Sequence, residues 1–146
     1  MFAFGSLPKL GGSSADYRST ELMDTQTMKW TTKQEYPYEE KIFAARSLFY
    51  SDQFIIFGGE LGYSTVSRIA AYNPQTDNWS TLGFLKTKRT YTSVIQMEDE
   101  FLIIGGLEMD ESESNSRRSE RCRFDGAELV CHFQSPLMPA GGKYKY

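Results

Sequence analysis

Phe54-Ile55-Ile56-Phe57-Gly58-Gly59 is followed, at a spacing of 47 residues, by Phe101-Leu102-Ile103-Ile104-Gly105-Gly106. A fixed period of this size marks a repeat architecture. Each copy is an aromatic and aliphatic run, the composition of a buried strand, and each ends in two glycines, where the backbone must leave the strand by a path that side chains would obstruct. The alignment continues upstream without a gap. Ser51-Asp52-Gln53 lies over Glu98-Asp99-Glu100, and Ser47-Leu48-Phe49-Tyr50 lies over Val94-Ile95-Gln96-Met97. The pattern is strand, short polar turn, strand, Gly-Gly, which is a β-hairpin. Downstream of Gly59 come a polar loop, a strand-like stretch from Val66 to Tyr72, the turn Asn73-Pro74-Gln75-Thr76-Asp77, and a further strand opening at Trp79. Four strands fill one period. Antiparallel four-stranded units repeated at this spacing read as propeller blades, which stack because no blade can bury both of its own faces. The expected fold class is all-β.

The stretch Phe54 to Trp79 resembles the kelch repeat, whose signature is a hydrophobic strand, a double glycine, and a Tyr and a Trp six residues apart. Gly58, Gly59, Tyr72 and Trp79 stand at those places, with a Pro-x-Thr turn at Pro74 and Thr76. The resemblance also implies an arginine at the start of the first strand, and Arg89 matches it; Ile42 stands at the equivalent place one repeat earlier. In the third unit Gly105 and Gly106 fit, but the loop Met109 to Arg118 is long, and Cys131 stands seven residues after Phe124 where a tryptophan is expected. At the N-terminus, Phe2-Ala3-Phe4-Gly5-Ser6 is read as a second strand with its glycine corner, followed by an outer hairpin from Glu21 to Trp30. Gly11-Gly12 is the rival corner, disfavoured because Pro8 precedes it and would interrupt strand pairing. The expectation is a partial kelch-type propeller of four-stranded antiparallel blades. Residues 1–34 form a partial first blade, 35–83 a second, 84–134 a degenerate third, and 135–146 a linker and the start of a further strand. Trp30 and Trp79 are assigned to packing between blades.

At this period the chain holds roughly three blades, fewer than the four to eight of a closed ring. The expectation is a fragment of a longer ring, with assembly of several copies, or closure of the first blade by Lys143-Tyr144-Lys145-Tyr146, as the alternatives. Aromatic residues make up 14% of the chain, enough for sheet-on-sheet packing in one all-β unit. An open arc would leave apolar blade faces exposed, so self-association through them is also expected. The net charge of −3 gives no electrostatic reason to expect nucleic acid or an anionic membrane as partner. Arg117, Arg118, Arg121 and Arg123 stand beside Asp110, Glu111 and Glu113, a mutually neutralising loop. No run of 18 apolar residues is present to make a membrane-spanning helix, and the first residues lack the basic start and apolar run of a signal peptide.

Cys122 and Cys131 flank a hairpin signal at Asp125-Gly126. A turn spanning Asp125 to Glu128 would set the cysteines opposite each other and permit a disulfide. A two-residue Asp125-Gly126 turn would pair Cys122 with Leu129 and forbid it. Two reduced thiols, in a cytoplasmic protein, are the default expectation; a bridge would imply secretion. His132 is the only histidine, and its neighbour Cys131 must point to the opposite face of a strand, so no Cys-His dyad or histidine metal cluster forms from these residues. The Gly-Gly pairs lack the Lys-Ser/Thr sequel of a phosphate loop. Glu98-Asp99-Glu100 and Asp110-Glu111 sit in turns, where carboxylates serve solvation. No catalytic residue, cofactor site or metal site is expected.

What remains is binding. Resemblance to kelch propellers implies loops at one face that hold a protein or peptide, as in the substrate-recognition part of a cullin ubiquitin-ligase adaptor, which would also require BTB and BACK segments. Arg89, Tyr63 and Tyr91 are the candidate contacts. The alternative for Arg89 is to cap a neighbouring loop carbonyl, and for the tyrosines to pack between blades. A secreted or cell-surface adhesion protein, and a fragment of a larger propeller enzyme, are the competing functional expectations.

Overall fold

The computed structural model describes residues 2–4, 19–38, 44–61, 64–108, 114–115 and 117–134. Among these residues the fifteen elements are all strands: β1 Phe2–Phe4, β2 Thr20–Asp24, β3 Lys29–Lys33, β4 Arg46–Tyr50, β5 Gln53–Phe57, β6 Glu60–Leu61, β7 Ser64–Thr65, β8 Arg68–Asn73, β9 Asn78–Phe84, β10 Ser93–Met97, β11 Glu100–Ile104, β12 Leu107–Glu108, β13 Ser114–Asn115, β14 Ser119–Asp125 and β15 Glu128–Gln134. They form one three-stranded blade, β1-β2-β3, and two four-stranded antiparallel blades, β4-β5-β8-β9 and β10-β11-β14-β15. The small ladders β6-β7 and β12-β13 lie in corresponding loops of the two full blades. No helix among the described residues is long and apolar enough to cross a membrane.

The hairpins form where the turn residues allow the backbone to reverse. Ser51 and Asp52 both take positive φ between paired Tyr50 and Gln53, the pattern of a type I′ turn whose twist matches that of the strands. In the outer hairpins a side chain organises the turn. Asp24 Oδ1 accepts the Gln26 and Thr27 amides, and Asn73 Oδ1 accepts those of Gln75 and Thr76. β1 pairs with β2 as the second strand of its blade, in the register Phe2↔Leu22 to Phe4↔Thr20. Both rival glycine corners, Gly5-Ser6 and Gly11-Gly12, lie outside the described residues.

The two full blades pack face to face. Ile55, Phe57 and Ile69 of the first meet Phe101, Ile103 and Leu129 of the second, all at most 2% exposed. Their outer strands touch at one parallel bridge, Gly83↔Leu129, so the eight strands form a continuous, nearly closed sheet. The bridge is possible because residue 83 has no side chain: a Cβ there would lie 2.2 Å from the Leu129 carbonyl oxygen.

On the other face, Trp79 packs edge-on against Tyr36 at 5.1 Å and tilted against Tyr72 at 5.1 Å, and its Nε1 donates to the Gln34 carbonyl. The linker before the blade thus supplies Tyr36, fully buried, to complete the Trp79 pocket. Trp30 lies on β3 with 49% of its surface exposed, and among the described residues none covers it as Tyr36 covers Trp79.

Cys122 and Cys131 are directly opposite in the β14–β15 register and form a disulfide in the inter-blade core, with a Cα–Cα distance of 4.0 Å. The expectation of two reduced thiols is therefore corrected. The physical reason is the turn: Asp125 pairs with Glu128 around Gly126-Ala127, and positive φ at Gly126 alone is the type II′ pattern. Asp125 thus ends the strand instead of opening the turn.

Candidate partner-binding face

One end of the two full blades is built by the chain that passes between them. After Phe84 the linker runs back along the first blade: the Leu85 amide donates to the Ser67 carbonyl at 2.7 Å and the Arg89 amide to the Val66 carbonyl at 3.2 Å. The Val66 amide donates to the Gly59 carbonyl, and the Gly59 amide to the Arg89 carbonyl, each at 3.0 Å. Gly58 therefore lies flat against the passing chain. With φ at +59°, a Cβ on it would lie 2.4 Å from the Arg89 carbonyl oxygen. Gly106, the second glycine of the next pair, meets the same segment, with a Cβ position 2.5 Å from the Thr90 carbonyl oxygen. At Gly58 and Gly106 the chain that passes between the blades occupies the space of a side chain.

Arg89 turns from this backbone into the last blade. Its Nη1 donates to the Gly105 and Arg118 carbonyls, each at 3.0 Å, and its Nη2 to Glu120 Oε1 at 2.6 Å. Both side chains of this ion pair are 0% exposed. Glu120 also accepts the Lys86 amide at 2.6 Å and the Thr87 amide at 3.0 Å, so it binds the linker as well as the guanidinium. Burial pulls the Arg89 pKa below its ordinary value, and the Glu120 carboxylate opposes that shift. Arg89 as a partner contact is corrected by this geometry. It has no accessible surface and its terminal donors are engaged, so it clamps the glycine corner, β14 and the linker from within. The carbonyl-capping alternative describes it; Glu120 was not anticipated.

Tyr91 emerges from the same segment in a different state. It is 48% exposed and has φ of +51°, a left-handed conformation that a bulky residue adopts only when its surroundings impose it. Ala44, at the same repeat position 47 residues earlier, is left-handed too. The two are tied together: the Tyr91 amide and the Thr90 hydroxyl both donate to the Ala44 carbonyl at 3.1 Å. Thr90 and Leu107 exchange both backbone bonds, at 3.0 and 2.8 Å, and the Thr92 hydroxyl donates to the Ile104 carbonyl at 3.1 Å. The exposed Arg46, which opens β4, donates from Nε to the Thr92 carbonyl at 3.0 Å. A tyrosine ring and a guanidinium thus stand together on a rigid frame at the glycine-rich end. Tyr63 lies outside the described residues.

Chemistry beyond binding finds little material. Glu120, Cys122 and Cys131 are the one group of carboxylate, thiol or imidazole ligands close enough to hold a metal among the described residues. Their sulfurs are joined to each other and the carboxylate is held by Arg89 and two amides, so they form a structural cluster. His132 is exposed, on the face opposite the buried Cys131.

Four-stranded antiparallel blades, a double-glycine corner set against the incoming chain, and a Tyr–Trp pair on the two outer strands define a partial kelch-type β-propeller. Comparison with known proteins agrees. The chain is 31% identical over 105 residues to the Kelch-like protein terF of Aspergillus terreus, a match covering 66% of this chain and 21% of that relative. The chain therefore spans about a fifth of the length of the relative it matches. The solved structure of YjhT superposes with a TM-score of 0.67 at 16% identity, over 82% of this chain and 46% of that one, a likeness of fold. No family model matches.

Proposed function

We propose that this chain is part of a non-catalytic protein-recognition module, and that its contact face is the glycine-rich end carrying Tyr91 and Arg46. The observation that carries the reading is Tyr91: a half-exposed aromatic in a left-handed conformation, fixed by backbone bonds on both sides. Tyrosine and arginine are the side chains most often found as anchors of protein interfaces, and a pre-organised anchor loses little entropy on binding. The kelch-like relative supports the class. A net charge of −3 favours protein over nucleic acid or anionic membrane as the partner. Substrate recognition in a cullin ubiquitin-ligase adaptor is one form the function takes if the whole protein carries BTB and BACK segments.

The disulfide favours a second reading, a secreted or cell-surface interaction protein, because bridges persist in oxidising compartments. Exposed Ile95 on the outward side of β10 also offers a surface for self-association. An enzyme whose reacting groups lie elsewhere in a longer chain would show turnover that this segment lacks. The contact face is tested by placing a photo-crosslinking residue at position 91 or at exposed position 49 of the full-length protein in cells. Discrete protein adducts at 91 and none at 49 are expected. Adducts at 49 alone, or none at either position, would refute the assignment.

A further inference from the structure

The two full blades touch along two seams and part between them. At the inner seam β4 approaches β10, and the Tyr50 hydroxyl donates to Asp99 Oδ1 at 2.9 Å. At the outer seam Gly83 meets Leu129. Between these seams, at the hairpin-turn end opposite Tyr91, an open cleft of about 520 Å³ remains. Its floor is apolar: Ile55 is 1% exposed and Leu82 9%. The rings of Tyr50 and Phe124 line it nearly parallel, 17° apart with centroids at 6.0 Å. Phe101 braces both rings edge-on from the core, at 5.2 and 6.2 Å. The remaining polar lining, including Ser51, Gln53 and Ser80, is uncharged, and no Asp, Glu, Lys, Arg or His is among the described residues that line it.

We propose that this cleft is a binding site for a neutral saccharide of two or three rings. Its volume falls within the roughly 300–1,000 Å³ range of small-ligand sites. A sugar presents apolar C–H faces and a rim of hydroxyls. The braced aromatic pair and apolar floor meet the faces, and the Gln53 amide with the serine hydroxyls meets the rim through both donors and acceptors. A charged ligand would lose hydration without finding an opposite charge in the lining. A peptide would use a free strand edge, a helix-shaped groove or, if proline-rich, a row of successive aromatic slots; this lining is one aromatic pair with strand faces and two turns. The site lies away from the proposed protein-contact face, so either assignment can fail without the other.

The test is isothermal titration of the full chain with maltotriose, cellotriose and N,N′-diacetylchitobiose, at low and high salt. Saturable, salt-insensitive binding of at least one is expected. Gln53→Ala, which removes the rim amide, and Ala127→Trp, which fills the mouth from an exposed turn position, should each weaken binding by about tenfold or more. Lys29→Ala, on the first blade, should leave it unchanged. Unfolding midpoints of the variants separate lost binding from lost folding, and either cleft variant suffices if the other is destabilised. No saturable binding by the three sugars, unchanged affinity in both cleft variants, or binding that fades with salt would overturn the assignment.

Discussion

Gly58 and Gly126 share a positive φ, +59° and +62°, but have opposite surroundings. A Cβ on Gly58 would strike the Arg89 carbonyl, whereas nothing lies within 4 Å of one on Gly126. Gly126→Ala should therefore lose only the conformational penalty of a positive φ, about 1–2 kcal/mol, while Gly58→Ala should lose well beyond that and Gly58→Val should not fold in soluble form. Urea unfolding of the two alanine variants checks this; equal losses would show that obstruction at the corner is not what selects glycine. The need for glycine at residues 58 and 105 was legible from the repeat, but not which atom stands opposite. Arg89 was half legible. Carbonyl capping follows from its place, but Glu120 lies on a different strand. The available signal was a paired exchange: the preceding repeat has Ile42 for Arg89, and Ala70, opposite Ile56, for Glu120, opposite Ile103. Because both charges are buried, Arg89→Met should cost about 3–5 kcal/mol by stranding the carboxylate. Adding Glu120→Gln should recover part of that in a double-mutant cycle; strictly additive losses would mean that the two do not act as a pair.

At the scale of one element, the β14–β15 hairpin shows why register resisted the sequence. Asp125-Gly126 fits a turn centre, yet Gly126-Ala127 is the centre adopted, and that one-residue difference decides whether two cysteines meet or miss. Local propensity cannot separate the two, and neither can the in–out pattern: the rival register moves each partner by two residues, which leaves Cys122, Phe124, Leu129 and Cys131 on the core side either way. The first turns, by contrast, were legible because Ser51-Asp52 and Glu98-Asp99 recur at the same repeat position. Closing a loop of this short separation should stabilise the blade by about 3 kcal/mol, mainly by restricting the unfolded chain. Thermal unfolding with and without reductant, and of Cys122→Ala/Cys131→Ala, measures it. A midpoint unmoved by reductant, with thiol labelling confirming reduction, would count against the bridge as a stabilising element.

At the scale of the molecule, the period predicts that blades stack but not what joins the first to the second. The joint is made by the linker. Asp77 Oδ1 accepts the Gln34 amide at 2.9 Å and the Tyr72 hydroxyl at 2.7 Å, while Trp79 donates to the Gln34 carbonyl and Tyr36 fills the space beneath. Asp77 was legible only as a turn residue, because its partner Gln34 belongs to a linker without periodicity. The same contacts make the joint sensitive to acid. The Gln34 amide first, and the Tyr72 hydroxyl second, hold the Asp77 carboxyl below its ordinary value of 3.8. A carboxyl whose folded pKa is depressed stabilises the fold fully above the unfolded value; that stability is lost as the pH falls through the folded value, since the unfolded chain takes up its proton first. The unfolding midpoint of Asp77→Asn should therefore lie below that of the unaltered chain at neutral pH, with the gap closing as the pH falls below the ordinary carboxyl value of 3.8 and on through the depressed folded one. Asp24, whose carboxyl is also held low, by the Gln26 amide and then that of Thr27, is present in both proteins and cancels from the difference. A gap that persists unchanged to pH 2 would mean that the Asp77 charge does not hold the linker to the second blade, and that Trp79 and Tyr36 hold it by packing alone.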